Sequence, residues 1–104
     1  MQSKKLASLA EAALEDMKAR DIRVIDVRKL TTVTDYMIIA SGTSDRHVRS
    51  IAGRLVERAA AAGCEPFGVE GEEAGDWVLV DLSDVVVHVM LGKTRDFYKL
   101  ENLW

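Results

Sequence analysis

The chain has 104 residues, 48% of them hydrophobic, with 14 basic and 17 acidic side chains and a formal net charge of −3. That length suits a single domain with a core of its own, and the lone cysteine, Cys64, excludes an internal disulfide. No apolar run approaches the roughly 20 residues of a membrane-spanning helix, and no basic start leads into a long apolar stretch, so a soluble cytoplasmic protein with no membrane partner is expected.

Leu6, Leu9, Ala10, Ala13, Leu14 and Met17 recur at helical spacing, which predicts an amphipathic helix over residues 4 to 19 with Ser3 as its cap. "DIRVIDVR" is rich in β-branched residues and reads as a strand, followed by the turn-like "KLTTVTD". "YMIIASG" is apolar at consecutive positions, as in a strand covered on both faces, and is expected at the centre of the sheet. Val48, Ile51, Ala52, Leu55, Val56 and Ala59 repeat the helical period between Ser44 and the stop signal Gly63. "EPFGVEG" predicts a short strand that Pro66 confines to an edge or a strand start, and "EEAGD" reads as a loop. "WVLVDL" and "VVVHVML" flank Ser83 and Asp84 as a hairpin, and "TRDFYKLENLW" predicts a final short helix capped by Thr94. The expected fold is α/β: one domain in the order α-β-β-α-β-β-β-α, with a mixed sheet of about five strands flanked by helices.

Charge is unevenly distributed. From Glu65 to Asp84 the chain carries Glu65, Glu70, Glu72, Glu73, Asp76, Asp81 and Asp84 but no lysine or arginine. Such a segment repels a phosphate backbone, so no direct nucleic-acid specificity is expected; it suits a basic protein or a cation, or simply keeps the domain soluble.

The patterns that carry chemistry are incomplete. In "ASGTSDRH" a buried strand ends at Ser41, Gly42, Thr43 and Ser44 just before a helix, a place where backbone N–H groups favour anions. The stretch lacks both the P-loop lysine and the glycine spacing of a dinucleotide fingerprint, and helix capping by Ser44 or Thr43 accounts for it. A nucleotidyltransferase would further need two carboxylates one residue apart on a strand to hold magnesium. Asp81 and Asp84 are three apart across a turn, and Asp26 has Val24 and Arg28 as its same-face neighbours. His47 and His88 lack partners at zinc-ligand spacing, and no serine sits in a nucleophile elbow. His88 alternates with Val86 and Met90, which suggests a half-buried, hydrogen-bonded imidazole, and His47 is expected to face solvent or support the loop before its helix. No catalytic residue, metal or cofactor is expected.

A recognition surface remains. Trp77, Phe97, Tyr98 and Trp104 are four of the six aromatics and lie in the final third, among Asp76, Asp81, Asp84, Lys99 and Glu101. Rigid rings bordered by charge are a common interface composition. Helical spacing would place Phe97, Leu100 and Trp104 on a core-facing stripe, with Tyr98 on another face.

Four stretches in order, "LTTVTDYMIIASGTSDRHVRSIA", "EPFGVEG", "WVLVDLSDVVVHVM" and "RDFYKLENLW", resemble the signatures of the ribosomal silencing factor, or Iojap-related, family from about Leu30 to Trp104. The resemblance implies a fold related to nucleotidyltransferases without their activity. It also implies binding to ribosomal protein 14 of the large subunit, on the face the small subunit must meet, so that translation falls when nutrients are scarce. A homodimer is implied when the protein is free. Carried onto this chain, the docking surface is Trp77, Asp81, Asp84, His88, Tyr98 and Lys99, with Asp35, Tyr36 and the Ser41, Gly42, Thr43, Ser44 turn as a second motif element. Where members often have Tyr-Gly in the hairpin turn, this chain has Leu82 and Ser83. The alternatives are a nucleotide-binding module or enzyme of nucleotidyltransferase-like fold, and a homodimeric scaffold.

Overall fold

The computed structural model describes residues 1–104. The elements are α1 (Ser3–Asp16), β1 (Arg20–Asp26), β2 (Tyr36–Gly42), α2 (Asp45–Ala61), β3 (Gly68–Glu70), β4 (Trp77–Asp81), β5 (Val85–Leu91) and α3 (Gly92–Tyr98), closed by a 3-10 turn (Leu100–Leu103). The five strands form one mixed sheet in the order β1-β2-β5-β4-β3. Only the β2–β5 pair is parallel; it requires the long crossover that α2 and the β3–β4 hairpin supply.

The α-β-β-α-β-β-β-α order is as expected, while the ends of the elements and the centre of the sheet differ. β2 is buried at all seven positions, yet β5 holds the middle of the sheet and β2 lies beside it. Burial on both faces needs cover above and below as well as a neighbour on each side; β2 meets that condition along its whole length, whereas β5 alternates buried and half-buried positions. Ser3 is the first residue of α1 and Gln2 takes the cap position without a side-chain bond. The helix ends at Asp16, because Lys18 takes positive φ as the chain reverses toward β1. α3 starts at Gly92, so Thr94 lies inside it.

The two faces of the sheet are covered unequally. α1 and α2 lie together on one face, where Leu6, Ala10, Leu14, Val48, Ile51 and Leu55 pack on Ile38, Ala40, Val78, Val80, Val87 and Val89 in a cluster of 19 buried residues. Each buried Leu, Ile or Val among them contributes about 1.5–3 kcal/mol by leaving water. The opposite face has a core cluster of only four, Val27, Met37, Ile39 and Met90, with Ile25, Trp77 and Leu100 packed at its margin. No long helix covers this second face; α3 and the 3-10 turn reach over one end of it. No helix of the chain is long and apolar enough to cross a membrane.

Candidate functional site

The hairpin register builds the second face around His88. Ile39, His88 and Leu79 stand opposite one another across β2, β5 and β4, and Ser41, Met90 and Trp77 form the next row. Trp77 and His88 are therefore diagonal neighbours, within reach for long side chains. The Trp77 indole Nε1–H donates to His88 Nδ1 at 3.0 Å, and the ring centroids are 5.9 Å apart. Indole nitrogen can only donate, so His88 must present a bare Nδ1. Burial among Ile39, Leu79 and Met90 holds the imidazole neutral, with its pKa pushed down to about 4. His88 is the half-buried, hydrogen-bonded histidine its alternation suggested.

Tyr98 completes the cluster from the end of α3, its ring centroid 4.8 Å from that of Trp77, and Phe97 meets Tyr98 edge-on at 5.0 Å. The expected core-facing stripe on the last helix does not form. Lys99 adopts a left-handed backbone (φ 48°, ψ 50°) that breaks the helical phase between Tyr98 and Leu100. Leu100 still packs at the margin of the second cluster, but Phe97 is 78% and Trp104 41% exposed. Tyr98, expected on a different face from the core stripe, is the ring that lies on Trp77.

Next to these rings is a recess of about 420 Å³ with Glu70, Asp76, Trp77, Leu79, His88 and Tyr98 in its wall. Its shape depends on Gly71, at φ 89°: a Cβ there would lie 2.0 Å from the Trp77 carbonyl oxygen, so only glycine lets the loop close against β4. Glu70 and Asp76 bring the acidic segment to the edge of the aromatic cluster.

The other singled-out residues divide between the two ends of the sheet. At the Trp77 end lie Lys99, exposed beside Tyr98, and the Ser41–Ser44 turn. At the far end, about 13 to 20 Å from the Trp77 row at roughly 3.3 Å per residue along β5, lie Asp81, Asp84, Asp35 and Tyr36. Asp81 accepts the Ser83 N–H at 2.8 Å, fixing the hairpin turn. The Asp84 carbonyl accepts the N–H groups of Asp35 and Tyr36. Tyr36 is 7% exposed, with the Arg28 guanidinium 5.4 Å above its ring. The structure thus brings Trp77, His88 and Tyr98 into one cluster and leaves Asp81 and Asp84 apart from it.

The Ser41–Ser44 turn is bonded inward. Ser44 Oγ accepts the His47 N–H at 3.0 Å as the cap of α2, and the Thr43 N–H donates to His47 Nδ1 at 2.9 Å. His47 Nε2 lies 2.8 Å from the Met17 carbonyl, so this histidine supports the loop, one of the two roles expected of it. Asp45, in the first turn of α2, has its pKa lowered by its bond to Arg49 and adds negative charge where a phosphate would sit. Gly42 leaves room for Val48: a Cβ would come 2.7 Å from Val48 Cγ2.

One residue at this end carries no sequence signal of its own. Arg95 is 8% exposed and is the one buried side chain of α3. Its Nε donates to Glu101 Oε2 at 2.7 Å, and its Nη1 donates to the Asp21 carbonyl at 2.6 Å and to Ser41 Oγ at 2.9 Å. Arg95 and Glu101 meet only because the chain turns left-handed at Lys99, which no spacing rule anticipates.

Comparison with known proteins agrees with this architecture. Residues 1–104 match the family described as "Ribosomal silencing factor during starvation". The ribosomal silencing factor of Chromobacterium violaceum is 46% identical over 104 residues, which cover 100% of this chain and 85% of that protein. A mouse protein named "Mitochondrial assembly of ribosomal large subunit protein 1" is 43% identical over 94 residues, 88% of this chain and 41% of its own length. A crystal structure of a Chromobacterium violaceum protein, 46% identical, superposes with a TM-score of 0.98 over 100% of this chain and 87% of that one. With its whole length matched and a close relative aligned along all of it, this chain belongs to the ribosomal silencing factor family.

Proposed function

We propose that this chain represses translation by binding rather than by chemistry: it docks on the large ribosomal subunit at ribosomal protein 14 and sterically blocks the small subunit from joining, in the cytoplasm and when nutrients are scarce. The observation that carries this reading is the Trp77–His88–Tyr98 cluster on the sheet face that α1 and α2 leave uncovered, bordered by Glu70 and Asp76. Rigid rings in a recess with an acidic rim suit a basic protein surface, because the rings desolvate at little entropic cost while the rim carboxylates orient the partner. The name of the mouse relative, which refers to the large ribosomal subunit, supports the same choice of subunit. Lys99 borders the cluster, and Asp81 and Asp84 extend the contact along the hairpin. Off the ribosome the chain pairs with a second copy of itself, for which exposed Phe97, Leu103 and Trp104 supply apolar surface.

The test is subunit joining. Purified small and large subunits mixed with excess protein should yield fewer joined particles on a gradient. Trp77→Ala and Tyr98→Ala should each restore joining and weaken large-subunit binding by about tenfold or more, as expected for aromatic anchors that docking buries, while both variants keep a cooperative melt. Undiminished joining at saturating protein would refute the proposal.

A further inference from the structure

We infer that Arg95 is the positioning residue of the docking site: its guanidinium, held between Glu101, Ser41 and the Asp21 carbonyl, sets α3 at the distance that lays Tyr98 on Trp77. The inference rests on the docking reading above for its functional meaning, but its geometry stands on the free chain.

Little else holds the last thirteen residues in place. Arg95 is the only buried residue of α3, and the 3-10 turn after it has none. Phe97, Leu103 and Trp104 are exposed, which leaves Leu100 as the apolar anchor and the Trp77–Tyr98 ring contact as the second hold. Against this, Arg95 joins three chain segments that are distant in sequence. It reaches the positive-φ Asp21 at the start of β1, Ser41 near the end of β2, and Glu101 beyond the Lys99 reversal. The Arg95–Glu101 pair is 10% and 14% exposed, so solvent screens it weakly.

Two features make this a positioning device as well as a brace. Arginine presents its donors in a fixed planar fork, so bonds from Nε and Nη1 to three acceptors define the orientation of α3 and not only its proximity. The Arg95 carbonyl also accepts the Lys99 N–H at 2.8 Å, which closes the turn that separates Tyr98 from Leu100. One residue thus fixes both the helix that carries Tyr98 and the reversal that follows it. Removing the guanidinium strands a nearly buried Glu101 carboxylate, which regains water only if the 3-10 turn swings outward. Tyr98 would then leave Trp77, although the main core beneath α1 and α2 is untouched.

The experiment reads two signals on Arg95→Met, Arg95→Lys and Tyr98→Ala. The first is the Trp77 indole N–H resonance of the free protein, assigned by its loss in Trp77→Phe. The second is affinity for purified large subunits. In Arg95→Met the indole resonance should move toward its position in Tyr98→Ala, and affinity should fall by about tenfold or more. The Arg95→Met/Tyr98→Ala double variant should bind no more weakly than Tyr98→Ala alone, since both changes remove the same contact. Arg95→Lys keeps charge and stem but cannot fork to three acceptors, so it should shift both signals in the same direction; it serves as the test if the methionine variant does not fold. An unmoved indole resonance, or additive losses in the double variant, overturns the inference. If the unmodified protein does not bind large subunits, the docking reading fails, and the resonance still decides whether Arg95 places Tyr98.

Discussion

At Ser83 an ordinary residue occupies a backbone conformation that favours glycine. Its φ is 72°, in the hairpin turn between β4 and β5, and a Cβ in the left-handed region costs about 1 kcal/mol. Asp81 partly offsets that by accepting the Ser83 N–H. Ser83→Gly should therefore stabilise the domain by about 0.5–1 kcal/mol in urea unfolding, net of the added freedom of the unfolded chain. A destabilised variant would show that the strain is not there. His88 gives a second expectation. Its folded pKa of about 4 lies below the 6.5 of an exposed histidine, so between those values the unfolded chain binds the extra proton and the folded chain does not. Stability should thus be unaffected by His88 above pH 6.5, fall as pH drops toward 4, and lose of order 3 kcal/mol over the window at about 1.4 kcal/mol per unit. His88→Gln, whose amide oxygen can still accept from Trp77, should remove that component; unchanged pH dependence would count against the buried neutral imidazole.

At the scale of elements, the junction of β2 with α2 is a tight fit next to the site. Gly42 is buried where α2 starts, and an added methyl would meet Val48 Cγ2 at 2.7 Å with Val48 backbone atoms at 3.1 and 3.2 Å. Gly42→Ala should lower stability by about 1–3 kcal/mol, the usual penalty for overpacking. Made in a Val48→Ala background, the same change should cost less, because the nearest obstacle is then gone; a cycle with no coupling would place the strain in the backbone instead. The strain bears on function because Ser41, one residue earlier, accepts the Arg95 bond.

Across the whole molecule, charge is arranged against one face. The stretch from Glu65 to Asp84 has no lysine or arginine, and its Glu70 and Asp76 stand at the aromatic recess. If the partner surface is basic, association should slow as salt is raised, since exposed charges are screened beyond about 10 Å at 0.1 M. Asp76→Lys should reduce the on-rate and flatten its salt dependence, with much less effect on the off-rate, as measured by surface-bound large subunits. An on-rate indifferent to salt would leave the rings to act without electrostatic steering.

The sequence by itself determined the order of elements, the burial of "YMIIASG", the capping of α2 from the Thr43–Ser44 turn, the short strand after Pro66 and the Trp77-bearing hairpin. All of these follow from periods of 2 and 3.6 and from local turn chemistry, which neighbouring residues encode. It also determined that the aromatic and acidic residues of the final third concentrate in one region. The tertiary structure alone decided which of them meet. Trp77 and His88 pair because the β4–β5 register makes them diagonal neighbours. Tyr98 joins them from the last turn of α3, whose buried side chain is Arg95, and Leu100 loses the phase of Phe97 because Lys99 turns left-handed. Arg95 was invisible for the same reason: its partners lie 74, 54 and 6 residues away in the chain, and only the folded sheet brings a β1 carbonyl, a β2 hydroxyl and a C-terminal carboxylate within reach of one guanidinium.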